Sequence, residues 1–238
     1  MADPRTLVLW DIDHTLVSIT GIGKLLYAEA FRAATGHPMK QPADMLGRTE
    51  RAITIDTLRL HGIEVSEALL ETFGTALVEA FRAYEAAIGE HGRPLTGARE
   101  ALQALAVRED VVQSVLTGNM EPIAIGKLAA FGLERFVDFE VGAYGMDHAE
   151  RPELVRLAQR RAGRKYGEVF TADSTVLIGD TPNDVLAGHR GGARVVAVAT
   201  GFVDAAALRA AGAEVVLPDL ADTDAVVRAV LRSPAPRR

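Results

Sequence analysis

The sequence predicts an α/β protein: a parallel β-sheet with helices on both faces, opened after its first strand by an α-helical insert. Three observations lead there. An apolar run, Leu7-Val8-Leu9-Trp10, begins the ordered pattern and ends abruptly in acid. About eighty residues of helical periodicity follow it, with no comparable strand signal. From Pro94 onward, strand-like and helix-like segments alternate, the rhythm of β-α units that build a parallel sheet.

Each element has its own warrant. In Ile22-Gly23-Lys24-Leu25-Leu26-Tyr27-Ala28-Glu29-Ala30-Phe31 the apolar residues recur at helical spacing. Segments 43–60 and 66–88 continue that pattern, with Gly36, Pro38, Pro42 and Gly62 as punctuation. Beyond Pro94 the reading is helix 97–106, strand 111–116, helix 121–131, strand 137–141, helix 152–162, strand 175–179, helix 182–189, strand 194–199, helix 204–211, strand 214–217 and helix 222–231. The organisation expected is a Rossmann-like core from residues 1–16 and 94–232, a helical insert at 17–93, and a solvated, disordered tail at 233–238.

A chain of 238 residues, 48% hydrophobic, can bury one large core and a smaller satellite. The formal charge of −6, without a basic run, argues against nucleic acid as a partner. There is no cysteine, so thiol nucleophiles, disulfides, zinc-thiolate sites and iron–sulfur ligation are excluded, and the metal site is expected to be oxygen-based. No stretch approaches the ~18 uninterrupted apolar residues of a membrane span, and no apolar segment precedes the first strand. A cytoplasmic protein with no membrane partner is the expectation; the oligomeric state is open.

The chemistry concentrates at three strand ends. Asp11 and Asp13 follow the first apolar run in Asp11-Ile12-Asp13-His14-Thr15. Side chains alternate along an extended strand, so carboxylates at i and i+2 project to one side. They do so at the strand's carboxyl end, where open α/β sheets bind ligands. Two anions there call for a hard divalent cation such as Mg²⁺, which prefers oxygen ligands and bridges carboxylates to phosphate. A second run, Val176-Leu177-Ile178-Gly179, ends in Asp180-Thr181-Pro182-Asn183-Asp184. A third strand, Val111 to Leu116, ends in Thr117-Gly118-Asn119, a hydroxyl and backbone N–H groups at the start of a helix, suited to an anion.

At these residues the chain resembles the haloacid dehalogenase-like hydrolase superfamily, in its phosphatase branch with a helical first-type cap, phosphoglycolate phosphatases among them. The matching motifs are 7–15 (hydrophobic run, then Asp-x-Asp-x-Thr), 111–117 (hydrophobic run, then Thr) and 179–184 (Gly-Asp-x-x-x-Asp), in the family's order. The resemblance implies that the insert is a cap closing over the pocket. It implies that Asp11 is the nucleophile of an aspartyl-phosphate, and that Asp13 is general acid and then base, with its backbone carbonyl on the metal. Asp180 would complete the Mg²⁺ site, with Asp184 a supporting or water-mediated partner. Members that cleave carbon–halogen bonds do not require an acid at the Asp13 place, so Asp13 favours phosphoryl transfer.

The family's third motif is a basic residue, usually Lys-Pro, where this chain has Arg151-Pro152. Arg151 is preferred here over Lys127, which lies about two turns into the helix after Thr117 and reads as a solvated charge. Arg48, in Gly47-Arg48-Thr49, is the candidate for an anionic leaving group. His14 stands where the family motif often has Gly and is given no catalytic role. The function implied is a Mg²⁺-dependent hydrolase of a small phosphorylated metabolite. A phosphomutase of the β-phosphoglucomutase type and a non-catalytic binding module share the scaffold; phosphonate hydrolysis would need a cap lysine, for which Lys24 is the candidate.

Overall fold

The computed structural model describes residues 5–231; the expected tail at 233–238 lies outside them. Strand β1 (Thr6–Trp10) leads through a tight turn to β2 (Val17–Ile19), then to helices α1 (Gly23–Thr35), α2 (Glu50–Leu60), α3 (Glu67–Tyr84) and the short α4 (Ile88–His91). Strand β3 (Gly92–Pro94) returns antiparallel to β2, pairing Val17 with Pro94 and Ile19 with Gly92. After it come α5 (Ala98–Ala106), β4 (Val111–Val115), α6 (Glu121–Ala129), α7 (Arg151–Tyr166), β5 (Thr175–Gly179), α8 (Pro182–Gly191), β6 (Arg194–Val198), α9 (Ala205–Ala210), β7 (Val215–Leu217) and α10 (Thr223–Leu231).

The main sheet has the order β4-β1-β5-β6-β7 and is parallel throughout. β1 therefore lies between β4 and β5, and the chain switches from one side of it to the other. That switch point is where open α/β sheets form their crevice. It sets the three strand ends that carry Asp11, Thr117 and Asp180 side by side.

Alternation divides the buried residues between two faces, as a doubly covered sheet requires. Val8, Trp10, Val176 and Ile178 pack with Leu102, Leu128, Val226 and Val230 from α5, α6 and α10. Leu7, Leu9 and Leu177 pack the other way, on Leu154, Val155 and Ala158 of α7 and Ala187 of α8. The helices between β2 and β3 enclose a separate cluster built on Tyr27, Phe31, Leu58, Leu70, Phe73 and Phe81.

Three local expectations need correction. Residues 137–141 do not form a strand: a 3₁₀ turn at Glu134–Phe136 precedes them and another, Phe139–Val141, lies within them. The Asp138 side chain accepts from Glu140 N (3.1 Å), and its carbonyl accepts from Ser114 Oγ (2.6 Å). Such side-chain bonds compete with a ladder, and an isolated bridge between Leu116 and Ala143 is what remains. Helix 43–60 begins only at Glu50, because Thr49 caps it by accepting from Ala52 N. The β2–β3 pair, three residues a side, is too short to register as strand periodicity.

Candidate active site

Asp11 follows β1 directly and is 7% exposed. Its Oδ1 accepts a hydrogen bond from Arg151 Nη2 at 2.7 Å. The same Nη2 lies 2.7 Å from Asp184 Oδ1, an ionic contact whose angle falls short of a hydrogen bond. Arg151 is the first residue of α7, with Pro152 in the first turn where its missing N–H costs nothing. The other carboxylate oxygen of Asp184 accepts from Thr181 N (3.0 Å) and Thr181 Oγ1 (2.6 Å). This capping box starts α8 and fixes the Asp184 rotamer.

Asp180, at the end of β5, brings a third buried carboxylate to the same place. Ligand oxygens of Asp11, Asp180 and Asp184 all lie within 4.8 Å of one another. Asp180 Oδ2 is buried without a hydrogen-bond partner. Burial, then the negative charges of Asp11 and Asp184, push the Asp180 carboxyl well above its ordinary range. Burial and Asp184 also raise Asp11, against the opposing pull of Arg151. A buried carboxylate with no donor is expensive, and backbone crowds it further: a Cβ built on Gly201 would stand 1.8 Å from Asp180 Oδ2. An all-oxygen donor set with an orphaned oxygen fits a hard divalent cation such as Mg²⁺.

Asp13 lies on the opposite flank. Lys127 Nζ is 2.7 Å from each of its oxygens, and Asn119 Nδ2 donates to Oδ2 at 2.7 Å. Burial would raise the Asp13 carboxyl, but the charge of Lys127 and the hydrogen bonds from Lys127 and Asn119 outweigh it and hold it below the usual range. Lys127 is thus no solvated surface charge. Helical Cα–Cβ bonds tilt toward the N-terminus, so its four-carbon stem recovers the distance that counting turns had assigned it. Arg151 and Lys127 both occupy the site, one on each acid. The carboxylate that joins Asp11 and Asp180 is that of Asp184, while the Asp13 side chain faces Lys127.

Thr117 Oγ1 accepts from Asn119 N (3.2 Å) and Asn119 Nδ2 (2.8 Å), which leaves its own proton for an anion. Among the described residues no acceptor takes the Gly118 N–H. Helix α6 begins only at Glu121, so the 117–119 loop precedes the helix rather than forming its first turn. His14 has a positive φ of 59°, a strained conformation for a residue other than glycine. Its ring packs against Phe202 at 4.7 Å.

The insert closes on these loops through the start of α2. Glu50 N donates to Gly118 O (2.9 Å), Arg51 N to Gly145 O (2.9 Å) and Thr49 Oγ1 to Ala149 O (2.8 Å). A Cβ on Gly118 would meet Arg48 O at 2.1 Å, so the approach requires glycine there. Between insert and core lies a cavity of about 620 Å³ that reaches Asp11, Asp13, Thr117, Lys127, Arg151 and Asp180. Arg48 lines it, but its guanidinium is engaged by Asp56 Oδ2 (2.6 Å) and the Asp44 carbonyl (3.0 Å). Lys24 lies at the exposed edge of the cavity.

Sequence reasoning passed over Glu50 and Tyr27, which also line the cavity. Glu50 is 9% exposed and its Oε1 is buried without a partner. Burial pushes its carboxyl up to about 7. No spacing rule marks an acid in the first turn of a surface-patterned helix as buried; the burial arises where that turn abuts the Gly118 loop.

No curated protein matches the sequence. Solved structures match over nearly the whole chain, at identities that establish likeness of fold. One, predicted to be a phosphoglycolate phosphatase, from Haemophilus somnus, has a TM-score of 0.64 at 19% identity, over 94% of this chain and 98% of its own. CbbY from Rhodobacter sphaeroides, solved with phosphate, gives 0.66 at 21%, over 92% and 96%. A candidate β-phosphoglucomutase from Bacteroides vulgatus gives 0.62 at 20%, over 96% and 91%. The family model for haloacid dehalogenase-like hydrolases matches residues 8–189, a span running from β1 through α8 that includes every acid of the site. The chain belongs to the haloacid dehalogenase-like hydrolase family.

Proposed function

We propose that the protein is a Mg²⁺-dependent phosphomonoesterase acting on a small phosphorylated metabolite, with Asp11 as nucleophile. The observation that carries this reading is the buried group of Asp11, Asp180 and Asp184 with its orphaned Asp180 oxygen. It stands beside two cations, Arg151 and Lys127, and the free donor of Thr117. Asp11 and Asp180 would hold the metal with the Asp13 carbonyl, Asp184 in support. When bound, the cation would neutralise charge on nucleophile and phosphate and orient them for in-line attack.

The chain's own residues supply the rest. Arg151 orients Asp11 by holding Oδ1, leaving the other oxygen to attack phosphorus as the ester P–O bond breaks. The proton for the departing oxygen comes from Asp13. Held by Lys127, Asp13 is in its charged, base form; phosphate oxygens that draw Lys127 toward themselves raise Asp13, which takes a proton from solvent and passes it to the departing oxygen. In the second displacement Asp13 takes a proton from water as the water attacks the aspartyl-phosphate, and Asp11 is regenerated. Thr117 and Gly118 N–H donate to the phosphoryl oxygens.

The insert, 17–93, serves in this reading as a lid that encloses a small leaving group and excludes water. Its separate hydrophobic cluster and the short β2–β3 connection support that role. A phosphomutase would use the same core; the candidate mutase from B. vulgatus is the observation favouring it, and phosphate release to water separates the two.

The test is Mg²⁺-dependent phosphate release across a panel of phosphoesters, with Asp11→Asn alongside. Release abolished by the substitution is the expected result. Activity surviving in Asp11→Asn would remove Asp11 from the nucleophile's role, and inactivity on every ester would shift the protein to the binding-module reading.

A further inference from the structure

The insert wall of the cavity is mostly apolar, with Ile22, Leu26, Ile53, Leu77 and Phe81 among its residues. Set into it is Glu50, which the proposed chemistry does not use. Its backbone is fixed to the Gly118 loop by a 2.9 Å hydrogen bond, so the side chain has a set position relative to the phosphate cradle. Its Oε1 is buried and unpartnered. The nearby Tyr27 hydroxyl lies 3.0 Å from Thr54 Oγ1, and either atom of that pair can donate; Tyr27 also pulls the Glu50 carboxyl down against burial, so it reaches Glu50 without meeting Oε1. An apolar wall that retains an acid with one oxygen unpartnered carries a desolvation cost for it, and a ligand that supplies a further donor to that carboxylate reduces the cost.

We infer that Glu50 is a specificity-determining residue that accepts a hydrogen bond from a hydroxyl or ammonium group on the leaving group, so that the preferred phosphoester carries such a donor and not a carboxylate. This rests on the phosphomonoesterase reading and narrows its substrate. The cation that would have welcomed a carboxylate, Arg48, is held by Asp56 and the Asp44 carbonyl. Lys127 is occupied by Asp13 and Asn119, and Lys24 sits at the exposed edge. Above about pH 7, where the Glu50 carboxyl is ionised, a leaving group ending in a carboxylate, glycolate for instance, would meet it as like charge.

The test compares kcat/KM for four small esters: glycerol phosphate, which offers hydroxyls; O-phosphoethanolamine, which offers an ammonium; n-propyl phosphate, which offers neither; and 2-phosphoglycolate, which brings a carboxylate. The full-length enzyme with Mg²⁺ should prefer one of the first two over propyl phosphate by about 10-fold or more, the discrimination of a hydrogen bond to a charged group. Which of the two identifies the donor. In Glu50→Leu that ratio should collapse toward unity. In Glu50→Gln, which keeps the shape and removes the charge, phosphoglycolate should gain about 10-fold relative to propyl phosphate, a gain that damage to the fold does not produce.

A wild type that prefers phosphoglycolate, or ratios unchanged in both variants, would overturn the assignment while leaving the phosphatase reading standing. A Glu50→Gln protein that is folded by circular dichroism yet hydrolyses none of the four would place Glu50 in the chemistry and overturn the specificity role. Should Glu50→Leu fail to fold, Glu50→Gln decides alone. No Mg²⁺-dependent release from any ester by the wild type would instead defeat the phosphomonoesterase reading itself.

Discussion

Asp180→Asn separates the metal-site reading from a merely structural one, because it predicts a stability change whose sign depends on the ion. In metal-free protein Asp180 is buried, one of its oxygens lies within 4.8 Å of oxygens of Asp11 and Asp184, and its Oδ2 has no donor. Two full charges at that separation repel by roughly 3–4 kcal/mol at an effective dielectric of about 20. Protonation relieves part of this, since burial and the neighbouring charges raise the Asp180 carboxyl. A net gain of about 1–2 kcal/mol is expected on replacing it with a neutral amide, or roughly 2–8 °C in Tm for a chain of this size. Mg²⁺ reverses the order. At about 100 times its Kd a bound ion stabilises the wild type by ~2.7 kcal/mol, and the variant, short of one ligand, gains little. Differential scanning fluorimetry in EDTA and in excess Mg²⁺ reads both. A wild type that is the more stable in EDTA, or equal Mg²⁺-induced shifts in the two proteins, would refute the reasoning.

Other perturbations follow from the same contacts. Arg151→Met leaves Asp11 and Asp184 without their shared cation and should cost about 3–5 kcal/mol at neutral pH without metal, read by urea denaturation. Lys127→Met removes the charge that holds Asp13 low, so burial prevails and the alkaline limb of the kcat/KM profile, set by the acid form of Asp13 that the first displacement needs, moves to higher pH. The stability from that contact is present above the ordinary carboxylate range and lost as pH falls through the lowered value, so the variant's deficit should be seen at neutral pH and vanish in acid. Gly201→Ala forces a methyl to within 1.8 Å of Asp180 Oδ2 and should weaken Mg²⁺ binding by at least ~10-fold, measured by titration calorimetry.

What the sequence disclosed and what it hid divide along physical lines. The ends of β1 and β5 were legible because continuous apolar runs mark doubly covered strands and acid stops them abruptly; β4, though interrupted by Gln113 and Ser114, is flanked by Val111-Val112 and Val115-Leu116 and stops at the Thr117 hydroxyl. Those same ends hold Asp11, Thr117 and Asp180. The Leu116–Ala143 region misled, since Val137 to Val141 has strand composition while Asp138 spends its side chain and carbonyl on local bonds. Lys127 was hidden for another reason. Counting turns places its Cα, and a long flexible stem can still carry the ammonium back to Asp13. Glu50 was beyond reach of any spacing argument, because its burial depends on two segments far apart in sequence meeting at Glu50 N and Gly118 O. The φ of 59° that His14 adopts is a left-handed conformation that glycine reaches at no steric cost, and nothing in the spacing of the Asp11–Thr15 segment announces it. Among the described residues no helix is long and apolar enough to cross a membrane.

The most direct measurement is capture of the phosphorylated enzyme. Rapid quenching during turnover of a ³²P-labelled substrate, followed by peptide mapping, should place an acid-stable, hydroxylamine-sensitive label on the peptide carrying Asp11, with none in Asp11→Asn. Label on another residue, or steady hydrolysis by the wild type with no labelled protein at any quench time, would contradict a mechanism in which Asp11 takes up the phosphoryl group.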